Sequence, residues 1–352
     1  MSSFENAIPG APLAPLDAPL TPLDHPPAEA RRAPRAEAPA AAPARSGPAR
    51  GVWWTGLAAV AAWGLLGCLT HALPNEVVGF ADWAYTEEFA WFAWAVAGLL
   101  LVLGTAPGVP APLTARLRAA GPWLVVLALG LSAWELLTAK SAVLPAPFFA
   151  PPQSLAEVYV SDWGRILEGL FHSVRLLFIG IALGAVAGFL VGVLIGWSRL
   201  ASYWIHPVLR VIGPLPTTAL LPICFYFFPS SWATAIFLIA LGTAFPVAIL
   251  TWSGVASVNP GFYDVAGTMG ASAWFLVLRV AIPASLPQVF VGLFMGLGAA
   301  FSTLVVAEML GVKSGLGFYL TWAQGWAAYP NMYAALIVMA LLFSGVISLL
   351  FL

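Results

Sequence analysis

The side chains best able to do chemistry in this chain are few and lie in apolar company. Glu135, Arg175, Arg210 and Glu308 each sit inside or at the edge of a long hydrophobic run. A charge there costs free energy unless it meets a partner or a water-filled path, so each is a candidate for handling a solute. Bond-making chemistry finds no support. The chain has no H-E-x-x-H, no G-x-S-x-G and no paired-cysteine site. His25, His71, His172 and His206 are scattered among the N-terminal stretch and the ends of apolar runs. Gly311-Val312-Lys313-Ser314 lacks the glycine that precedes lysine in a phosphate-binding G-x-x-x-x-G-K-[ST] loop, and Gly296-x-Gly298 reads as helix packing. Cys68 and Cys224 stand far apart in apolar runs and read as small buried hydrophobes, with no disulfide and no metal site.

The elements that must carry those groups follow from composition. With 61% hydrophobic and 8% charged residues over 352 positions, the chain is too apolar for a soluble protein, where about 25% charged residues is usual. The expected class is an all-α polytopic membrane protein with no nucleic-acid partner. Helices close their backbone hydrogen bonds internally, whereas isolated strands would leave theirs open in lipid. Residues 1–50 differ: they are rich in Ala and Pro and carry Arg31, Arg32, Arg35, Arg45 and Arg50. They hold too little apolar surface to offset their ordering entropy and read as a disordered cytoplasmic arm, with no cleavable signal peptide.

Eight spans are expected, at about residues 52–73, 89–103, 122–138, 172–197, 205–228, 232–255, 284–311 and 332–352. Each reaches or approaches the ~20 residues that a bilayer helix needs. The fourth repeats glycine every four residues, at Gly180, Gly184, Gly188, Gly192 and Gly196, a stripe that lets another backbone come close. The fifth contains Pro214, Pro216 and Pro222 and should be broken or kinked, which is tolerated beside a covered or water-filled path. Arg116, Arg118, Arg199 and Arg279 fall in alternate loops, whereas the first intervening loop holds Glu76, Asp82, Glu87 and Glu88 and no Lys or Arg. The positive-inside rule then places the N-terminus and the arginine loops in the cytoplasm, leaving Lys140, Arg165 and Lys313 outside.

Two outer segments stand out. Residues 140–169 are the longest connection between spans, and the amphipathic run 154–170 opens with Ser154 and Glu157 in capping-box spacing. Residues 313–331 contain Gly315, Gly317, Phe318, Tyr319, Trp322 and Trp326. Those aromatics either anchor at the membrane interface or touch a ligand. On the opposite side, residues 264–283 read DVAGTMGASAWFLVLRVAIP and carry Asp264, Arg279 and a helix-breaking Gly270. That suits a short excursion into water with a turn at Gly270.

The same stretch resembles a known signature. Permeases of ABC importers carry a cytoplasmic loop reading E-A-A, three residues, Gly, nine residues, Ile, one residue, Leu-Pro. Here Asp264-Val265-Ala266 stands for E-A-A, Gly270 follows in register, and Val280-Ala281-Ile282-Pro283 closes the pattern. From about residue 123 to 352 the chain is similar to permeases of nitrate, sulfonate, taurine and bicarbonate importers. The similarity runs through LPAPFFAPPQSLAEV, HSVRLLFIGIALGAVAGFLVGVLIGWS, RVIGPLPTTALLPI, GVASVNPGFYDVAGTMGAS and VVAEMLGVKSGLG.

The resemblance implies a six-helix type I importer permease core over 122–352, with a coupling loop at about 256–283 and two additional transmembrane helices within 51–121. It implies that Tyr263, Asp264, Ala266, Gly267, Met269, Gly270 and Ala271 contact a separate ATPase subunit, which holds the ATP and Mg; this chain binds no cofactor. A second permease copy, or a close relative, and a periplasmic or lipid-anchored solute-binding protein would complete the assembly in a bacterial inner membrane. The solute would be a small anion such as nitrate, sulfonate, taurine or bicarbonate. Glu308 lies in VVAEML, which matches the family pattern; with Arg175 and Arg210 it either lines the path or pairs with an arginine to hold helices together. A secondary transporter with two internally similar halves, or a membrane scaffold, would work without any ATPase.

Overall fold

Helix α8, Ser231–Ala256, is the one that the two longest helices pack against from either side. The computed structural model describes residues 53–76, 83–106, 109–213 and 215–351, so the arm over residues 1–50 lies outside the described residues, as do Asp82 and Pro214. In chain order the helices before α8 are α1 (Trp54–Ala72), α2 (Thr86–Thr105), α3 (Ala111–Glu135), α4 (Pro152–Ser161), α5 (Trp163–Trp197), α6 (Arg199–Ile212) and α7 (Leu221–Phe227). After it come α9 (Pro260–Thr268), α10 (Ala273–Phe275), α11 (Ile282–Leu310), α12 (Leu316–Gly325) and α13 (Tyr329–Leu350). Two π-helical turns, Leu136–Lys140 and Leu276–Ala281, extend α3 and lead into α11, and a 3-10 turn, Thr217–Leu220, precedes α7. No strand occurs among the described residues.

Among the described residues, seven helices are long and apolar enough to cross a membrane. The fifth expected span is two pieces, Arg199–Ile212 and Thr217–Phe227, bent by 88°. The proline run sets the break. Pro216 falls in the gap, while Pro222 sits in the first turn of α7, where its missing N–H is not needed.

The glycine stripe of α5 is what brings that helix against α8. Gly180, Gly184, Gly188 and Gly192 are all buried, and a Cβ on Gly188 would stand 2.9 Å from the Ala244 Cα. One on Gly184 would stand 2.7 Å from the Thr243 Cβ. From the other side α11 offers Gly292 and Gly296, whose added Cβ atoms would lie 3.0 Å from the Val247 Cα and the Thr243 carbonyl oxygen. Two backbones therefore clasp α8, which is how helices associate where lipid removes the hydrophobic drive. Leu176 and Leu177 of α5, Leu238 and Ile239 of α8, and Ala300 and Leu304 of α11 fill the space between, together with Leu221 and Cys224 of α7. Gly188→Leu should force α5 and α8 apart at a cost of about 3 kcal/mol, seen as a lower midpoint in thermal unfolding of the detergent-solubilised chain.

Helix α1 packs between α2 and α3 through Ala59, Ala62, Trp63 and Leu66 of α1, Ala93, Ala97 and Leu100 of α2, and Ala128 of α3. Lys140 fastens the group. Its Nζ donates to the Thr70 and Leu73 carbonyls at 2.7 and 2.8 Å and to Asn75 Oδ1 at 2.7 Å, so a cation caps the carbonyl end of α1. Glu135, wholly buried, lies 3.7 Å from the same ammonium and accepts from Gln153 Nε2 at 3.3 Å.

Four expectations need correction. α3 begins at Ala111, well before residue 122, because Gly121-Pro122 does not interrupt it. The amphipathic run 154–170 is two helices that part at Asp162, and its second half is the start of α5. Ser154 does not cap a helix: α4 starts at Pro152, and the Ser154 hydroxyl donates back to the Pro151 carbonyl at 2.7 Å. Cys68 is exposed on α1 rather than buried, whereas Cys224 is buried as expected.

Candidate functional site

Three local arrangements bear on function: a cavity at the broken span, a clamp on α12, and the exposed helix α9. The cavity, about 280 Å³, opens where α6 gives way to the 3-10 turn. Gly213, Pro216, Thr217 and Thr218 line it from the break, Gly242, Phe245 and Pro246 from the midpoint of α8, and Ala299, Ser302 and Thr303 from α11. A broken backbone is tolerated inside a membrane protein where it borders such a space. Gly213 belongs there because the Phe245 ring lies where its side chain would be.

Among the described residues every polar side chain on the cavity wall is a hydroxyl, and no charged residue lines it. Thr303 Oγ1 gives its proton to the Ala299 carbonyl at 2.8 Å. The 2.7 Å contact between Thr217 and Thr303 must then be donated by Thr217, which ties the broken span to α11. Thr218 and Ser302 make no hydrogen bond among the described residues, so their hydroxyls are available to a solute.

The clamp is built on Glu308, which is 1% exposed. Its carboxylate accepts from Ser173 Oγ at 2.7 and 3.0 Å and from the Gly317 N–H at 2.8 Å. Ser173 in turn accepts from the Leu316 N–H at 2.9 Å, so both first N–H groups of α12 are held by side chains of other helices. Gly315 adopts φ +99, and a side chain there would overlap the Glu308 carboxylate. That accounts for the spacing in VVAEMLGVKSGLG. Further along α12, the Tyr319 hydroxyl donates to Asp162 at 2.9 Å, and Asn331 Nδ2 reaches both Asp162, at 3.0 Å, and Tyr319, at 2.7 Å. Burial is the largest cause that pushes the Tyr319 phenol up, to about 12, so it remains a donor.

At the other end of the bundle the stretch with the loop signature folds as one compact unit. The Asn259 carboxamide accepts from the Gly261 N–H at 2.9 Å and Pro260 supplies the first helical position, starting α9. Gly270, at φ +78, ends it. The Gly270 N–H bonds to the Gly267 carbonyl at 3.0 Å and the Ala271 N–H to the Ala266 carbonyl at 3.1 Å, a Schellman closure that needs a left-handed residue. Ser272 then caps α10, accepting from the Phe275 N–H at 3.3 Å.

Tyr263 turns inward and packs its ring edge-on to Trp197 at 5.9 Å, joining α9 to the end of α5; burial raises the Tyr263 phenol above its usual range. Asp264, Gly267 and Met269 face solvent, while Ala266 and Ala271 are half-buried. Phe262 and Val265, each 64% exposed, and Met269, 83% exposed, form an apolar face with no partner among the described residues, and their helical spacing is the sequence signal for it.

The remaining expected residues lie apart. Arg175 is exposed, with its guanidinium 5.4 Å from the Trp232 ring centre, and Arg210 is exposed on α6. Neither they nor Glu308 borders the cavity. Glu308 pairs with a serine and a backbone N–H rather than with an arginine. The cavity hydroxyls escaped sequence reading because Thr and Ser in an apolar helix carry no pattern of their own.

Residues 180–352 match the family of binding-protein-dependent transport system inner membrane components. A Brucella melitensis protein bearing the name of an ABC transporter permease is 32% identical over 65% of this chain and 93% of its own length. A Bacillus subtilis protein named as an aliphatic sulfonates transport permease is 29% identical, over 62% of this chain and 79% of its own. A nitrate import permease protein of Leptolyngbya laminosa is 28% identical, over 66% and 84%. With its multi-pass helical fold, the chain belongs to the binding-protein-dependent inner membrane components, the permease subunits of ABC importers, and is a transport component rather than an enzyme.

Proposed function

We propose that this permease couples ATP hydrolysis on a partner subunit to inward passage of a small oxyanion, and that α9 is the coupling element. The observation that carries this reading is the apolar face of Phe262, Val265 and Met269, presented to solvent by a helix capped at both ends. Tyr263 against Trp197 gives the route inward: a push on α9 reaches the end of α5, and the glycine stripe passes it to α8. ATP and Mg belong to the partner in this reading, and Tyr263, Asp264, Ala266, Gly267, Met269, Gly270 and Ala271 form or shape the contact.

Charge supports the sidedness. Arg116, Arg118, Arg199 and Arg279 occur at the α9 end, whereas Lys140, Arg165 and Lys313 occur at the α12 end together with Glu87, Glu88, Glu157, Asp162 and Glu168. That distribution supports a reading with α9 and the N-terminus in the cytoplasm and α12 outside. Two copies enclose the path, and a solute-binding protein, soluble or lipid-anchored, delivers to the α12 end.

The solute rests at the hydroxyl cavity, where Thr218 and Ser302 offer hydrogen bonds without a fixed charge. Such a site holds an anion weakly, which suits transit. The sulfonate and nitrate permeases among the relatives point to the same class, with taurine and bicarbonate as further candidates. Arg175, Arg210 and Glu308 do not form this resting site within one copy. Met269→Cys, placed on the exposed face, should cross-link to a cysteine in the surface groove of the co-purified ATPase subunit. Absence of an ATPase in the purified assembly would remove the reading.

A further inference from the structure

We propose that the α12 end holds a second ligand site, for a small organic monoanion with a flat apolar body. The site is a cavity of about 290 Å³ between the first turns of α5 and the loop that leads into α12. Arg165 and His172 line it from α5, Lys313 from the loop, and Phe318 and Trp322 from α12. The inference rests on the importer reading only in taking this end as the outer face.

The polar groups decide which ligand fits. Three carboxylates lie near the cavity, and two of them already accept hydrogen bonds from fixed donors. Asp162 accepts from Tyr319 and Asn331 through Oδ2, and its other oxygen lies 3.8 Å from Arg165. Glu308 lies behind Gly315 and Gly317 with its carboxylate taken by Ser173 and the Gly317 N–H. Glu168 is then the only carboxylate on the cavity wall among the described residues, against the cations of Arg165 and Lys313. Asp162 keeps its charge beside Arg165, so the preference rests on donors rather than on net charge. At 3.8 Å Arg165 makes no hydrogen bond to Asp162, and its N–H groups and the Lys313 ammonium can converge on one oxyanion.

The walls decide the shape. The guanidinium of Arg165 stands 5.5 Å from the centre of the Trp322 ring. Stacking occupies a face of the guanidinium, whereas its N–H donors lie in its plane and remain free to grip an oxyanion. Phe318 and Trp322 offer flat apolar surface to the rest of the molecule. An arenesulfonate or aromatic carboxylate meets both requirements.

The test uses the full chain in lipid nanodiscs and fluorine NMR titration with 4-fluorobenzenesulfonate, with 4-fluorobenzylamine as the ligand of opposite charge. The sulfonate should bind saturably and the amine should not. Arg165→Gln and Lys313→Gln should each weaken the sulfonate about tenfold, as loss of one charge-assisted hydrogen bond does, and Lys313→Arg should keep most of the affinity. Arg165 and Lys313 are both exposed, so the variants should elute from gel filtration as the parent does. No saturation, unchanged affinity in both glutamine variants, or equal binding of the amine would each overturn the site. The titration needs neither ATP nor a partner. Failed binding alongside intact ATP-driven uptake removes this site and leaves the importer reading standing, whereas binding without any ATPase association does the reverse.

Discussion

Gly270→Val should abolish ATP-driven uptake in proteoliposomes while the chain still inserts and the partner still hydrolyses ATP. The residue sits at φ +78, and nothing lies within 4 Å of where a side chain would start. The requirement is therefore for backbone conformation and not for space. A β-branched residue in the left-handed region costs about 2 kcal/mol or more. That shifts the population of the formed turn by a factor of about 30. With the turn lost, the Gly270 and Ala271 N–H groups release the Gly267 and Ala266 carbonyls, and α9 no longer holds its angle to α10 and α11. A push from the partner then bends the loop instead of moving α5 and α8. Gly270→Asn, which tolerates this conformation better, should keep most of the uptake. Equal uptake per ATP in the valine variant would dismiss α9 as the coupling element.

Glu308→Ala should be the most damaging single change at the α12 end. It leaves the Ser173 hydroxyl and the Gly317 N–H without an acceptor in a buried setting. Two such donors at about 1–3 kcal/mol each give roughly 2–6 kcal/mol, enough to free the start of α12. Glu308→Gln should be milder. Its amide oxygen can still accept from Gly317 and its N–H₂ can donate to Ser173, but the serine, already accepting from Leu316, is left with a proton to place. Hydrogen–deuterium exchange over residues 313–325 gives the measurement. Fast exchange in the alanine variant and intermediate exchange in the glutamine variant are expected. Exchange as slow as the parent's in the alanine variant would show that α12 is held by its apolar contacts alone.

Much of this molecule was legible before any coordinates. Long apolar runs with few charges dictate membrane helices, because lipid leaves the backbone no other partner. The four-residue glycine period of α5 announced a close helix contact, since spacing by four keeps one face of a helix in line. The turn at Gly270 and the break among the fifth span's prolines were equally visible, being properties of a few consecutive residues. The loop signature named the family for the same reason.

What the tertiary structure alone decided are the meetings between distant segments. Which helix the glycine stripe faces, and that α8 is clasped from both sides, follows from shape complementarity between residues 180–196, 239–255 and 292–296. The hydroxyl cavity joins residues near 217, 242 and 303, each an ordinary Thr, Ser or Gly within its own helix. Thr303 satisfies itself on the carbonyl one turn back, so nothing in the linear pattern betrays it. Glu308 was conspicuous as a charge in an apolar run, yet its role depended on what stood opposite. The fold put Ser173 and the first N–H groups of α12 there, and a buried carboxylate ringed by fixed donors holds structure in place.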